Sequence, residues 1–196
     1  MKYFLDTEFI EGFHKPLLGK RRHFIDLISI GIVSEDNRGF EFISNEYKWS
    51  DADKWVQDNV IIPLYVDKVR GDNRNRLSAS NFHLHIGESN AKIAQEIKRF
   101  VYTDKPSKIQ FYGYYSDYDW VLFCSLFGRM IHLPNGFPMY CYDLKQMMAD
   151  KGVDSSHPNC PKLKKEHSAL HDAAWNKEVY NWLKTVNPNA GSTPDR

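Results

Sequence analysis

Apolar and polar positions divide the first part of the chain into three predicted strands. Residues 3–10 (YFLDTEFI) place Asp6 and Glu8 on one face, because successive side chains of a strand point to opposite sides. Residues 24–33 (FIDLISIGIV) are almost continuously apolar and rich in β-branched side chains, which is typical of a central strand. Residues 38–43 alternate phenylalanine with other residues, and the polar turn before them predicts a three-stranded antiparallel meander.

Helical spacing becomes the main signal after the meander. The acids that follow Ser50 predict a helix start, and Pro63 predicts its end, because proline disrupts the interior of a helix. Residues 64–88 show no clear period and are interpreted as a loop, either solvated or in contact with substrate. Ser89 caps the next predicted helix, whose apolar residues recur at helical spacing. The later predicted elements are a strand over 109–115, a helix over 120–127, a short edge strand over 139–142, a helix capped by Asp143 that ends at Gly152, and a final amphipathic helix.

The predicted element order is βββαβαβα, which favours an α/β protein with a mixed sheet of three antiparallel strands and then parallel strands. A length of 196 residues fits one domain with a core of its own. We expect residues 1–186 to form that domain. Residues 187–196 are rich in Pro, Gly, Ser and Asn and are predicted to be a flexible C-terminal tail.

Charge and cysteine content narrow the range of partners and settings. The chain carries 26 basic and 25 acidic residues, so its near-zero net charge gives no overall attraction to nucleic acid or to membrane surfaces. Any polyanion must therefore be held locally. The three cysteines lack C-x-x-C spacing, which favours a reducing, cytoplasmic setting over a disulfide framework. No apolar run reaches the roughly 18 residues that a membrane span needs.

Two carboxylates on one face of the first strand are the first candidates for chemistry. Inside a sheet, Asp6 and Glu8 repel each other unless a cation or hydrogen-bond donors compensate their charges. Carboxylates two positions apart suit hard ions such as Mg²⁺ or Mn²⁺. The alternative is a solvated strand end, which a single D-x-E motif does not exclude.

A third carboxylate and a histidine stand near the start of the final helix. Asp172 lies at the head of the apolar stripe of that helix, where it needs either a cation or a salt bridge to a basic side chain. His167 precedes Asp172 by five residues, about 140° around a regular helix, so the two converge only if His167 lies on the loop before the helix. A histidine there could take a proton from water, since its pKa lies near neutrality. The stripe consists of Trp175, Val179, Trp182, Leu183 and Val186.

Taken together, these motifs resemble the DEDDh family of 3′-5′ exonucleases. Asp6-Thr7-Glu8, an acid at a strand-to-helix junction in mid-chain, and residues 167–172 (HSALHD) match the family pattern D-T-E, then D, then H-x-A-x-x-D. More narrowly, the segments YFLDTEFIE, IDLISIGIV and YDWVLFCSLFG are similar to the small polyadenylate-specific 3′-exoribonuclease group of mycobacterial type. The resemblance covers nearly the whole chain outside 64–88 and the tail, and it implies an RNase H-like fold with helices on both faces of the sheet.

The middle acid of the pattern has two candidates. Many DEDD enzymes have an asparagine four residues before this acid, but Gly113 holds that place for Asp117 and Tyr115 holds it for Asp119. Residues 120–127 are apolar almost all round, so the helical stripe does not decide between the two. Asp119 is preferred because an aromatic residue precedes it and Trp-Val-Leu follows it, as in the narrower group.

The resemblance implies two-metal hydrolysis that releases nucleoside 5′-monophosphates from RNA 3′ ends. Asp6 would bridge two Mg²⁺ or Mn²⁺ ions, with Glu8 and Asp172 completing the first site. Asp119 would hold the second ion largely through water, and His167 would be the general base. The expected substrate is single-stranded RNA or an RNA 3′ overhang, and a homodimer is expected by analogy with relatives. The predicted substrate contacts are Thr7, Phe9, Lys164 and Lys165.

Two alternative functions stay open. The first is a DNA 3′-5′ exonuclease of the proofreading type, since RNA is favoured only by the narrower resemblance. The second is a non-catalytic nucleic-acid-binding module on the same fold. The complete set of acids and the histidine argue against pure binding, because a binding module would bear their electrostatic cost without using them.

Overall fold

The computed structural model describes residues 1–14, 19–69, 82–103, 106–163 and 167–187. Across these residues, six strands form one sheet in the order β4-β3-β2-β1-β5-β6. The first three strands are antiparallel to one another, whereas β4, β5 and β6 each pair in parallel with their neighbour. The predicted meander followed by parallel strands is confirmed. The strands are β1 (Lys2–His14), β2 (Arg22–Ser34), β3 (Gly39–Ser44), β4 (Phe82–Glu88), β5 (Gln110–Gly113) and β6 (Tyr142–Asp143).

Helices cover both faces of this sheet. Their bounds are α1 (Lys54–Val56), α2 (Ile62–Val69), α3 (Asn90–Tyr102), α4 (Asp117–Ser125), α5 (Leu144–Asp150) and α6 (Ala169–Leu183). A π-helical turn, Gln57–Ile61, joins α1 to α2, and short 3₁₀ turns occur at Trp49–Asp51 and Met130–His132. No helix in the described part of the chain has the length and apolar character needed to cross a membrane.

Alternation along β1 assigns each helix to one face of the sheet. Tyr3 and Leu5 are fully buried in a core shared with α3 and α4. Phe4 points the other way, into a core shared with α5 and α6, and Ile10 further along packs with the helical segment from α1 to α2. Burying each such side chain contributes about 1.5–3 kcal/mol. The face that carries Phe4 and Ile10 also carries Asp6 between them, so acids enter an otherwise apolar layer.

Pro63 does not end the helix that begins after Asp53, so that prediction is wrong. The N–H of Ile62 donates to the carbonyl of Gln57, five residues back, which is the wider π-helical pattern. This widening accommodates Pro63, which has no N–H and whose ring crowds the preceding turn of a regular helix. The helix then continues to Val69 as α2.

The predicted loop over 64–88 is also wrong at both of its ends. Its start belongs to α2, and Phe82–Glu88 forms β4, which pairs in parallel with β3 at the edge of the sheet. The sequence FHLHIGE alternates apolar residues with histidines up to Ile86, a period of two that is typical of a β-strand. Residues 70–81 lie outside the described residues.

Other strand boundaries differ from the prediction by a few residues. β1 continues to His14 and pairs with the start of β2, where His14 stacks on Phe24 with ring centroids 4.3 Å apart. β5 ends at Gly113, before Tyr115 turns the chain into α4 with a positive φ of 53°. The short edge strand begins at Tyr142. Of the predicted tail, residues 188–196 lie outside the described residues.

Candidate active site

Three carboxylates from the first strand and the last helix meet on one face of the sheet. Asp6 and Glu8 lie on the same side of β1, and Asp172 lies in the first turn of α6. One carboxylate oxygen from each residue lies within 4.8 Å of the other two. Residues more than 160 positions apart in the chain therefore form one acidic cluster, which we call the acid cluster.

A glycine allows α6 to begin directly on the sheet beside Asp6. Gly31 of β2 is the cross-strand partner of Asp6. A Cβ at Gly31 would lie only 2.3 Å from the backbone carbonyl of Ala169, the first residue of α6. Any side chain at Gly31 would push the helix away from the sheet and would move Asp172 with it.

A buried asparagine fixes the same helix to β1. Asn176 is 1% exposed, and its Nδ2 donates a 2.9 Å hydrogen bond to the carbonyl oxygen of Leu5, next to Asp6 in the chain. Asn176 lies four residues after Asp172 and so shares its helix face. The apolar stripe of the helix does not reveal this positioning residue, because asparagine is polar and the stripe consists of other positions. Of those, Val179 and Leu183 are buried, whereas Trp175, Trp182 and Val186 are only partly buried.

Burial and mutual repulsion make Asp6 and Glu8 hold their protons unusually tightly. Burial raises the pKa of Asp6 well above its ordinary value, and the charges of Asp119 and Glu8 raise it further. Burial likewise raises the pKa of Glu8, with Asp172 and Glu41 adding to the shift. A bound cation would counteract both effects, because it compensates the charges that the protein interior disfavours.

Asp119 stands at the start of α4 and is hydrogen-bonded to the strand between the first two acids. The backbone N–H and the hydroxyl of Thr7 donate to its Oδ1 at 2.9 and 2.6 Å. Burial raises the pKa of Asp119 to about 6, although these hydrogen bonds act in the opposite direction. The other candidate, Asp117, is exposed. The geometry therefore favours Asp119 as the middle acid.

Thr7 is buried, with 5% of its surface exposed, and its hydroxyl is used by Asp119. In this arrangement its side chain positions an acid. The direct contact with substrate expected from the sequence stays a prediction.

Glu41 is a further acid that sequence reasoning missed. It is 5% exposed on β3, in line with Gly31 of β2 and Asp6 of β1 across the sheet. Its charge raises the pKa of both Asp6 and Glu8. Alternation along β3 indicates which residues of that strand lie on the same face as Glu41, but it does not relate this face to the other strands. Only the register between three strands shows that this face is the one carrying the acid cluster.

His167 lies on the loop just before α6, as expected from its angular offset to Asp172. Its φ of 63° is in the left-handed region that residues other than glycine rarely adopt. The imidazole Nδ1 lies 4.0 Å from Oε2 of Glu8, and the side chain is 34% exposed. Its ring meets that of Trp55 edge to face, with centroids 5.0 Å apart. The histidine thus stands between solvent and the acid cluster.

The residues next to Glu8 and Asp119 in the chain form an aromatic pair. Phe9 follows Glu8 at an irregularity in the pairing of β1 with β2, and its ring stacks on Tyr118 with centroids 5.5 Å apart. Tyr118 is 46% exposed, and its hydroxyl donates to Glu11. The predicted contacts Lys164 and Lys165 lie outside the described residues.

The donor set fits a hard divalent cation. The three members of the acid cluster offer only carboxylate oxygens, which Mg²⁺ and Mn²⁺ prefer, and no thiol or imidazole belongs to the group. Asp119 lies close enough for its charge to act on Asp6 and could contribute a further oxygen.

A mixed sheet of this strand order, with helices on both faces and acids gathered on its central strand, is the architecture of the RNase H-like nucleases. Residues 1–183 match the model of one family within that class, the 3′-5′ exoribonuclease Rv2179c-like domain. The chain belongs to this family.

Two curated relatives from Mycobacterium tuberculosis are similar to most of the chain. They are 3′-5′ exoribonuclease Rv2179c of strain H37Rv and 3′-5′ exoribonuclease MT2234.1 of strain CDC 1551. Each is 30% identical over 173 residues, which cover 88% of this chain and 84% of the relative. The mycobacterial-type resemblance expected from the sequence is confirmed.

Proposed function

We propose that this chain is a metal-dependent 3′-5′ exoribonuclease that releases nucleoside 5′-monophosphates from single-stranded RNA or RNA 3′ overhangs. The convergence of Asp6, Glu8 and Asp172 within 4.8 Å is the observation that carries the proposal. Such a cluster destabilises the folded protein unless a cation compensates its charge. Because the chain belongs to an exoribonuclease family, we infer that this cation takes part in RNA hydrolysis.

Four acids would hold two Mg²⁺ or Mn²⁺ ions. Asp6, Glu8 and Asp172 would hold one ion, and Asp6 and Asp119 would hold the other. Ions paired in this way stabilise the attacking and leaving oxygens of an in-line phosphoryl displacement. The hydrogen bonds from Thr7 keep the Asp119 carboxylate turned towards β1.

His167 is the proposed general base. Its imidazole would accept a proton from the attacking water, and the nearby Glu8 carboxylate would stabilise the imidazolium that results. The water oxygen would bond to phosphorus as the bond from phosphorus to the 3′ oxygen of the penultimate nucleotide breaks. The released 3′ oxygen would take a proton from water, and the terminal nucleotide would leave with a 5′-phosphate. The partial exposure of His167 supports this role, because water must reach it.

Tyr118 is a proposed contact for the terminal base. Tyr118 directly precedes Asp119, and its ring is partly exposed to solvent. The ring stacks on that of Phe9, which supports it. Stacking on an aromatic face is tolerant of base identity and strong enough to hold a few unpaired nucleotides. The homodimer and the cytoplasmic setting expected from the sequence stay predictions.

A time course on RNA and DNA of equal sequence tests the proposal. We expect 5′-labelled single-stranded RNA to shorten stepwise from its 3′ end with Mg²⁺ or Mn²⁺, to release 5′-monophosphates, and to stay intact with EDTA. Asp6→Asn should abolish hydrolysis while leaving the circular dichroism spectrum unchanged. Asp26→Asn, on the neighbouring strand, is the matched control and should retain activity.

The same experiment separates the alternatives. Faster cleavage of DNA than of RNA would replace the RNA assignment with a proofreading-type exonuclease. Binding of RNA without cleavage under every metal condition would indicate a non-catalytic module. Hydrolysis that survives Asp6→Asn would contradict the assignment of the site itself.

A further inference from the structure

A half-exposed tryptophan packs against the proposed general base. Trp55 belongs to α1, which is capped by Asp53. The Asp53 side chain accepts a 2.8 Å hydrogen bond from the backbone N–H of Val56. The Trp55 side chain keeps 55% of its surface exposed, so the core explains little of its placement. Its ring instead meets the His167 ring at 88°, with centroids 5.0 Å apart. This edge-to-face geometry is one that aromatic pairs prefer.

The element that carries Trp55 is anchored to the strand that carries the acids. Helix α1 runs directly into the π-helical turn, where Val60 and Ile61 are buried against Ile10 of β1. The position of Trp55 relative to β1 is therefore fixed by a core. His167, in contrast, lies on a loop, and a partly exposed imidazole there could adopt several side-chain rotamers. Contact with the Trp55 ring, whose position relative to β1 is fixed, limits the number of rotamers that His167 can adopt.

We propose that Trp55 is a positioning residue that holds the His167 imidazole against the acid cluster. This inference rests on the proposed function, since it concerns the base of that reaction. Trp55 selects the rotamer in which Nδ1 stays near Glu8. A base that is already in its productive orientation lowers the barrier of the chemical step. Trp55 should therefore affect kcat rather than substrate binding.

Nuclear magnetic resonance of the metal-free protein tests the contact without using activity. The ring protons of His167 lie in the ring current of Trp55, and His167→Gln identifies their resonances by their loss. Trp55→Ala should shift these resonances, whereas Trp49→Ala should leave them unchanged. Trp49 is a matched control because it is 48% exposed in the preceding 3₁₀ turn. Unshifted resonances in Trp55→Ala would overturn the proposal, whatever reaction the protein catalyses.

Steady-state kinetics on single-stranded RNA test the consequence. Trp55→Ala should lower kcat about 10-fold, the scale of losing one aromatic pair, with KM changed less than about twofold. Trp55→Phe keeps a ring and should recover most of the loss, whereas Trp55→Leu keeps apolar bulk alone and should not. Trp49→Ala should match the wild type. A raised KM with unchanged kcat would instead make Trp55 a substrate contact and would refute a positioning role.

A double variant shows whether Trp55 acts through His167. If it does, adding Trp55→Ala to His167→Gln lowers kcat no further than His167→Gln alone, because residues that act as a unit are not additive. A further 10-fold fall would refute the proposal. A wild-type protein that leaves RNA intact would remove the proposed function, yet the resonance shift would still report on the contact.

Discussion

At the scale of single residues, burial and hydrogen bonds distinguish two acids between which the helical periodicity of the sequence does not decide. Asp117 and Asp119 stand two positions apart at the start of α4, and both suit a middle motif. Only Asp119 is buried, and Thr7 donates two hydrogen bonds to it. Burial without a nearby cation raises its pKa to about 6, so the metal-free protein holds this acid partly protonated near that pH.

The first prediction compares the isosteric variants of these two acids. Asp119→Asn keeps an oxygen for the donors of Thr7 but removes the charge, so we expect kcat to fall about 100-fold, the upper end of the range for an outer-shell partner of a metal. Asp117→Asn is the control and should stay near the wild-type rate. Turnover of RNA by both variants, with thermal unfolding recorded alongside, is the measurement. Equal losses, or a loss confined to Asp117→Asn, would reassign the middle acid.

At the scale of elements, the docking of α6 on β1 and β2 creates the acid cluster. Helix α6 brings Asp172 to the sheet, Gly31 leaves room for the helix start, and Asn176 ties the helix to the carbonyl of Leu5. Two of these three features are not acids and have no chemistry of their own. They set the distance between Asp172 and Asp6, on which the site depends.

The second prediction removes the tie between α6 and β1. Asn176→Ala leaves the buried carbonyl of Leu5 without its donor, so we expect a loss of about 1–3 kcal/mol in the free energy of unfolding. We also expect weaker Mn²⁺ binding, because Asp172 is no longer held in register with Asp6. Denaturant titration and Mn²⁺ titration measure the two effects. Asn181→Ala, on the exposed side of the same helix, should change neither, and unaltered Mn²⁺ affinity in Asn176→Ala would refute the role in the site.

Local patterns in the sequence predicted the elements better than their meeting points. The alternation of residues 3–10 placed Asp6 and Glu8 on one face, and the angular argument put His167 before α6. Periodicity gave no means of bringing residues 6 and 172 together, since that contact depends on packing between distant segments. The expectation that residues 6 and 172 meet came from the resemblance to a nuclease family.

Two misses have the same physical origin. Glu41 reaches the acid cluster only through the register of β3 on β2 and of β2 on β1, and a shift of one residue would have turned it to the other face. The lack of periodicity over residues 64–81 predicts a loop that extends into strand β4, although residues 82–86 alternate. Tertiary pairing decided both cases.

At the scale of the whole molecule, a chain of almost zero net charge concentrates negative charge at one point of its sheet. The unfolded chain spreads these acids apart in water, whereas folding buries them together and raises the pKa of Asp6, Glu8 and Asp119. An acid whose pKa is higher in the folded state favours folding while it is protonated. That contribution is present at low pH and is lost as pH rises through the folded-state pKa values.

The third prediction follows from this linkage. In EDTA, the melting temperature of Asp6→Asn should exceed that of the wild type at pH 8, because the variant buries one charge fewer, and the difference should shrink at pH 5.5. Mn²⁺ or Mg²⁺ at about 100 times its Kd should raise the wild-type Tm at pH 8 by about 5–10 °C. At the same metal concentration, the increase in Tm should be smaller at pH 5.5, where protons compete for the same oxygens.

Calorimetry of both proteins at both pH values, with metal and with EDTA, makes the measurement. Comparing wild type with Asp6→Asn at each pH cancels the titration of groups elsewhere in the chain. If the acid cluster binds the cation, the metal-induced increase in Tm should disappear in Asp6→Asn. An increase of the same size in the two proteins would show that the cation stabilises some other part of the molecule, and the raised pKa values around β1 would then need a different explanation.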